Sequence, residues 1–146
     1  MKDEFEMNDM GLLRYFLGIE VEKNENKIFI SQANYVKKVL ERFNMQYCKA
    51  AISPTVMGLK LSKEDNNKDF DPSLYKIIVG NLMYLTASRL DVMHAVSLIS
   101  RFMERPKEAH WKAAKRIIRY VKGTKRYGIL YTTSENFKLV GYTDSD

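Results

Sequence analysis

The spacing of apolar residues constrains the fold most, because it changes along the chain from a period of two to about 3.6 and back to two. Leu17, Ile19 and Val21 alternate with Gly18 and acidic residues, which is typical of a strand with one buried face. A polar turn and a second short apolar run follow. We therefore expect a β-hairpin over about residues 15–30.

Helical spacing follows the hairpin and predicts four helices, each with one apolar stripe. The first should end near Asn44; the second should start at Asp71 and Pro72, a cap followed by proline at the first helical position, and run to about Ser88. Gly123 should end the fourth helix in a left-handed conformation. The four stripes are Val36, Val39, Leu40 and Phe43; Leu74, Ile77, Ile78, Leu82 and Leu85; Val92, Val96, Ile99 and Met103; and Trp111, Ala114, Ile118 and Val121.

The period returns to two after the last helix. Gly128–Tyr131 and Phe137–Tyr142 predict two strands joined by a turn. The fold class that follows is α+β, with an N-terminal β-hairpin, a bundle of about four helices and a C-terminal β-hairpin.

Positive charge is concentrated in one part of the sequence. Residues 101–126 hold ten basic and two acidic residues, a formal charge of +8, whereas the other 120 residues sum to −2. Such a segment attracts polyanions by releasing condensed counterions, which favours nucleic acid as a partner.

Within that segment, a helix over residues 108–122 separates an apolar arc from a basic arc. The basic arc could contact phosphates at successive turns without reading sequence. A solvated polar face that serves only solubility is the alternative interpretation. Trp111 falls in the apolar arc and is expected in the core. The basic arc consists of Lys112, Lys115, Arg116, Arg119 and Lys122.

Several classes of protein are disfavoured by composition. No run of about 18 apolar residues could span a bilayer, so we expect no membrane partner. Cys48 is the sole cysteine, and with two histidines it cannot complete a four-ligand zinc site. The acidic start of the chain does not resemble a secretory signal, so an intracellular location is expected.

Four separated motifs, in order, resemble the Pol polyprotein of copia-type retrotransposons. They are the stretch 1–22, which contains Tyr-Phe-Leu-Gly-Ile-Glu-Val-Glu; the stretch 79–86, Val-Gly-Asn-Leu-Met-Tyr-Leu-Thr; the stretch 97–124; and the ending 139–146. Each motif alone is weak, but the four together are a strong signal, and the match spans essentially the whole chain.

The resemblance implies a reverse transcriptase segment that follows the polymerase active site. Its expected parts are the end of the palm (1–30), a thumb helix with a connector (31–62), a mobile loop (63–70), a helical thumb and connection region with the basic helix (71–126), and the start of an RNase H-like domain (127–146). The expected partners are an RNA/DNA template-primer duplex and the remainder of the Pol polyprotein, in the cytoplasm or nucleus for the parent element.

The resemblance also assigns roles to residues outside the basic helix. Phe16, Leu17, Gly18 and Ile19 correspond to the primer grip, which holds the 3′ end of the growing strand. Gly18 suits the close approach of another backbone, although relief of a β-bulge explains it equally well. Asp144 corresponds to the first catalytic acid of RNase H and would be a metal ligand in an intact parent, which implies Mg²⁺ there and no cofactor in this chain.

The resulting functional hypothesis is a reverse transcriptase and RNase H segment that is inactive by itself. It lacks the Tyr-x-Asp-Asp hairpin, and one carboxylate is too few for two-metal chemistry. The alternative is a domesticated, non-enzymatic module that binds nucleic acid or another protein. A small nuclease that uses Asp144 and Asp146 ranks last for want of carboxylates.

Overall fold

A computed structural model describes residues 14–58, 60–63 and 68–133 of the chain. Within these residues the architecture is α+β, with a four-stranded antiparallel sheet and four α-helices. The elements are β1 (Tyr15–Phe16), β2 (Ile19–Asn24), β3 (Lys27–Ser31), α1 (Ala33–Arg42), α2 (Pro72–Leu85), a 3-10 turn (Leu90–Val92), α3 (Met93–Ser100), α4 (Glu108–Gly123) and β4 (Gly128–Thr132).

The predicted hairpin is present as β2 and β3, with Val21 opposite Ile30. One detail of the prediction is wrong, because Leu17 and Gly18 do not continue the strand. Both have positive φ, 49° and 87°, and together they form a tight turn between β1 and β2. Two successive residues in the left-handed region are typical of the turns that match the twist of a hairpin. The chain therefore adds a short outer strand that the alternation of apolar residues did not reveal.

β4 completes the sheet by pairing with β3, and the strand order is β1-β2-β3-β4. Ser31 lies opposite Gly128, where a Cβ would stand 2.1 Å from the Ile30 carbonyl oxygen. Glycine is thus required sterically for this pairing. The sequence predicted β4 as half of a C-terminal hairpin and gave no indication that β3 is its neighbour. The other half, Phe137–Tyr142, lies outside the described residues.

The helix boundaries follow local chemistry. α1 ends in two backbone bonds, from Asn44 N–H to Glu41 (3.1 Å) and from Met45 N–H to Leu40 (2.8 Å). Asn44 takes the left-handed conformation, with φ 54°, that this C-terminal arrangement requires. α2 begins as predicted, because the Asp71 carboxylate accepts the Ser73 N–H at 2.8 Å and proline follows directly.

Two predictions about helices are wrong in part. In α2 the predicted residues Ile78, Leu82 and Leu85 are buried together with Tyr75 and Val79, while Leu74 and Ile77 are 38% and 39% exposed. α2 is apolar on most of its circumference, and in the observed rotation the Tyr75 hydroxyl donates to the Ile99 carbonyl at 2.8 Å. Gly123 is the last residue of α4, but it does not adopt the predicted left-handed conformation, because its φ is not positive.

The helices enclose one hydrophobic core. α1, α2, α3 and α4 each contribute buried residues to it, including most of the predicted stripes. The buried apolar residues are Val36, Val39, Leu40, Met45, Tyr75, Ile78, Val79, Leu82, Leu85, Val92, Ala95, Val96, Ile99, Phe102, Ala114, Ile117, Ile118 and Val121. None of the helices among the described residues has the length and apolar character needed to cross a membrane.

The buried Arg89 joins the segment before α3 to the residue that follows α4. Arg89 is 2% exposed and bonds the Asp91 carboxylate at 2.9 and 2.7 Å. Its guanidinium also donates to the carbonyl and hydroxyl oxygens of Thr124, at 3.0 and 2.6 Å. The rings of Tyr120 and Tyr127 lie on it, with centroids at 5.8 and 5.5 Å. This cluster fixes the position from which the chain enters β4.

Candidate nucleic-acid interface

The basic helix α4 is anchored at its N-terminus by the chain segment that precedes α2. Glu108 N–H donates to the Lys68 carbonyl (3.0 Å), and Phe70 N–H donates to the Pro106 carbonyl (2.9 Å). The Lys107 ammonium contacts the Asp69 carboxylate at 2.6 Å. The start of α4 is therefore held by backbone and side-chain bonds.

His110 adds a buried polar contact at the same end of the helix. It is fully buried, and its ring stacks on Phe102 with centroids 3.8 Å apart. Nδ1 accepts the Lys107 backbone N–H at 2.9 Å, and Nε2 lies 3.1 Å from the Ser62 carbonyl oxygen. Because a carbonyl accepts, Nε2 carries the hydrogen of the neutral imidazole. His110 is thus a structural residue, as expected for a histidine without a carboxylate or thiol nearby in sequence.

The basic arc predicted from the sequence lies on one side of α4, but it is not wholly free. Three of its side chains hold the connector, by which we mean residues 45–58. Arg119 Nε donates to the Lys49 carbonyl at 2.7 Å, and a terminal nitrogen of Arg116 donates to the Ser53 hydroxyl at 3.0 Å. The Lys122 ammonium donates to the Cys48 carbonyl. These contacts give the arc a role in folding that the sequence did not suggest.

The charge of the arc nevertheless remains uncompensated, because all three of these acceptors are neutral. In the described residues the ion pairs are Arg89–Asp91, Arg105–Asp69 and Lys107–Asp69, and none involves the five basic side chains. A hydrogen bond to a carbonyl or hydroxyl orients a cation without cancelling its charge. The helix therefore keeps a positive surface on the side that faces the connector.

A groove of about 660 Å³ runs between this surface and the connector. Lys49 contributes a fifth basic residue to its lining, beside four from α4, and no acidic residue lines it. The basic lining residues are Lys49, Lys112, Lys115, Arg116 and Arg119. Lys122 lines a neighbouring pocket with Lys37 and Lys125. The sequence did not identify Lys49, because it lies in a segment without periodicity.

Trp111 of α4 lies at the boundary of the core. Trp111 is partly buried and stacks on Phe70 with centroids 4.5 Å apart and planes 17° apart. Phe43 contacts it edge-on at 6.2 Å, and the Lys115 ammonium lies 5.7 Å from its centroid. The prediction that Trp111 packs with the core is confirmed. Lys112 is exposed and Lys115 is half-buried above the tryptophan ring.

The residues predicted as a primer grip lie on a different part of the fold. Phe16 and Ile19 flank the turn formed by Leu17 and Gly18, and none of the four lines the groove. The Tyr84 hydroxyl donates to the Leu17 carbonyl, which fixes the turn against α2. Phe16 and Leu17 are 55% and 71% exposed. The turn thus presents two apolar side chains to the surroundings on a strained backbone.

The predicted metal ligand Asp144 lies outside the described residues. Within the parts of the chain that the structure describes, no three histidine, cysteine or acidic side chains are grouped so that they could hold a metal ion. The groove beside α4 is lined by cations and neutral side chains.

Comparison with known proteins gives the class. The family profile described as reverse transcriptase (RNA-dependent DNA polymerase) matches residues 1–57. The whole chain is 38% identical over 146 residues to the Retrovirus-related Pol polyprotein from transposon RE1 of Arabidopsis thaliana, and covers 10% of it. It is 37% identical over 155 residues to that from transposon TNT 1-94 of Nicotiana tabacum, and covers 12% of it. No solved structure matches the chain.

A shorter relative is covered more completely. An uncharacterized mitochondrial protein of Arabidopsis thaliana is 34% identical over 147 residues, and the chain covers 60% of it. The class is thus that of a reverse transcriptase-like segment of a retrotransposon Pol polyprotein. More particularly, the chain is similar over its whole length to the Pol polyproteins of the transposons RE1 and TNT 1-94, and it spans about a tenth of their length.

Proposed function

We propose that this segment binds nucleic acid through the basic side of α4 and does no chemistry by itself. Its ligand is the template-primer duplex of a reverse transcriptase, an RNA/DNA hybrid whose phosphates α4 contacts without reading bases. The rest of the Pol polyprotein is its second partner. The proposal rests on the relatives, which are Pol polyproteins, and on the basic surface of α4.

The observation that carries the proposal is the uncompensated charge of five cations on one helix side. None of them forms an ion pair with a residue in the described ranges 14–58, 60–63 and 68–133. A solvated face that serves only solubility is normally interspersed with acidic residues. Here Glu108 is the one acidic residue of α4, and no acidic residue lines the groove beside the five cations, which suits a polyanion.

The proposal includes two residue assignments that stand on the resemblance. Phe16, Leu17, Gly18 and Ile19 form the primer grip, and their exposed apolar turn is compatible with contact to the end of a strand. Residues 127–146 open an RNase H-like domain in which Asp144 is the first acid and, with further acids of an intact parent, binds Mg²⁺. Residues 128–132 also serve the sheet with β3, so the strand would belong to both units.

A binding titration against salt tests the proposal. For duplex DNA the slope of log affinity against log salt is about −0.9 for each phosphate neutralised. We expect the intact chain to bind a fluorescent RNA/DNA hybrid and the double variant Lys112→Gln, Lys115→Gln to bind with a slope smaller by about 1.8. These two lysines form no bond with the connector among the described residues, so the variant leaves its anchors in place.

The matched control removes the same charge from other helices. Lys38 of α1 and Lys76 of α2 are exposed and do not line the groove. The variant Lys38→Gln, Lys76→Gln should keep the slope of the unmodified chain to within about 0.3. Equal slopes for the two double variants would show that α4 is not the contact surface. Primer extension or hybrid cleavage by the purified chain would overturn the proposed lack of catalysis.

A further inference from the structure

The groove between α4 and the connector differs from the rest of the basic surface, because two chain segments build it. Lys49 lies on the connector, whereas Lys112, Lys115, Arg116 and Arg119 lie on α4. Five cations that share one groove repel one another, and no carboxylate in its lining offsets the repulsion. The folded chain pays this electrostatic cost unless an anion is bound.

The walls of the groove are fixed by the fold. Arg119 bonds the Lys49 carbonyl, which places the Lys49 side chain on the same groove as α4. Arg116 is fixed to Ser53, whose hydroxyl donates in turn to the Thr55 carbonyl at 2.8 Å. Donors that are held in place before binding lose less entropy when a ligand arrives. The two guanidinium groups are therefore organised by contacts with the connector.

One donor in the wall is left unsatisfied by the chain. Nε of Arg116 is buried and has no hydrogen-bond partner among the described residues. A buried donor in this state costs about 1–3 kcal/mol, and such groups in native structures call for an explanation. Because Arg116 lines the groove, an oxyanion bound there would place an acceptor next to this guanidinium.

We infer that this groove holds one backbone phosphate of the nucleic acid, with Lys49 and Arg116 as its ligands from the two walls. The inference rests on the proposed function and assigns one discrete phosphate position within the broader surface. Phosphate fits better than a carboxylate here, because its oxygens accept from several directions and the groove offers both planar guanidinium forks and mobile ammonium groups.

The decisive variant is Lys49→Gln. The fold uses the Lys49 carbonyl and not its side chain, which is exposed, so this substitution keeps the Arg119 contact. The first probe is inorganic phosphate, and its binding is monitored by NMR at the Lys49 amide and the Arg116 Nε–H signals. The second probe is an RNA/DNA hybrid in the salt titration. We expect Lys49→Gln to weaken phosphate binding about tenfold and to reduce the salt slope by about 0.9.

The control is Lys38→Gln, which removes one exposed lysine outside the groove. Equal phosphate affinity of the two variants overturns the site. Hybrid binding without phosphate-induced shifts at Lys49 and Arg116 also overturns it, while the proposed function stands. If phosphate shifts both signals but the hybrid does not bind, the groove is a site for free phosphate; the proposed function and the nucleic-acid source both fail.

Discussion

Replacement of Arg89 by methionine should reduce the free energy of unfolding by about 3 kcal/mol. Methionine fills much of the same volume but removes the four donor contacts to Asp91 and Thr124. Loss of one partner of a fully buried ion pair costs about 3–5 kcal/mol. The Asp91 side chain is 33% exposed, so water and the Tyr120 hydroxyl still solvate its carboxylate and lower that cost. The Thr124 oxygens that lose their donors add to it.

Urea unfolding followed by far-UV circular dichroism measures this loss. For a chain of this size, about 3 kcal/mol corresponds to a fall in Tm of about 6–12 °C. Arg101→Met is the matched control, because Arg101 is exposed and its replacement should change stability by less than about 0.5 kcal/mol. A loss of under about 1 kcal/mol for Arg89→Met would refute the argument that the cluster joins α3 to the end of α4.

The same cluster predicts a pH dependence. Burial by itself would raise the pKa of Asp91, but the hydrogen bonds from Arg89 and Tyr120 outweigh burial and lower it below the usual value. A carboxyl with a lowered pKa in the folded state stabilises the fold above its unfolded pKa, about 4, and this contribution is lost as the pH falls through the folded pKa. Asp91→Asn should therefore lose less stability than the unmodified chain between pH 6 and pH 2, measured by urea unfolding. Parallel pH profiles would contradict this assignment.

Two further substitutions, the first with Gly80→Ala as its control, probe the sheet and the start of α4. Gly128→Ala should destabilise the chain by more than about 2 kcal/mol, because the added Cβ would clash with the Ile30 carbonyl oxygen. The same variant should expose the β4 amides to hydrogen exchange. Gly80→Ala, on the open side of α2, should instead stabilise the chain by about 1 kcal/mol. His110→Phe keeps the stack on Phe102 but removes both ring nitrogen contacts, so urea unfolding should show a loss of about 2–4 kcal/mol. Unchanged stability of either variant would contradict the contact on which it rests.

The helices could be predicted from sequence because their determinants are local. Asp71 with Pro72 marks the start of α2, and the stripe through Val36 and Leu40 predicts the buried side of α1. The arcs of α4 are correct because a strongly amphipathic helix has only one apolar side to bury. For α2 this reasoning was right at Ile78, Leu82 and Leu85 and wrong at Leu74 and Ile77, since a helix that is apolar nearly all round has several possible rotations. The observed rotation depends on packing with distant elements and includes a long-range hydrogen bond from Tyr75 to α3.

The pairing of strands that are far apart in the chain could not be predicted either, because it also depends on long-range contacts. Nothing in residues 27–31 specifies that β4, about a hundred residues later, is their neighbour. The turn at Leu17 was missed because leucine is unusual with positive φ, so the alternation of apolar residues favoured a continuous strand. Gly128 contacts Ile30 and Tyr84 contacts Leu17, and both partners are distant in the sequence. The roles of these residues can therefore be recognised only in the folded structure.

The basic arc of α4 both attaches the connector and carries positive charge, and the sequence pattern alone does not distinguish these two roles. Arg116, Arg119 and Lys122 attach the connector to α4, and this attachment builds the groove that Lys49 lines. Because their partners are neutral, the charge that would attract a polyanion is retained in the folded chain. A ligand that binds only the folded form stabilises it by mass action. Under the proposed function, attachment of the connector and binding of an anion depend on the same side chains. Removal of an arginine should therefore change both, whereas removal of Lys49 or Lys112 should change binding alone.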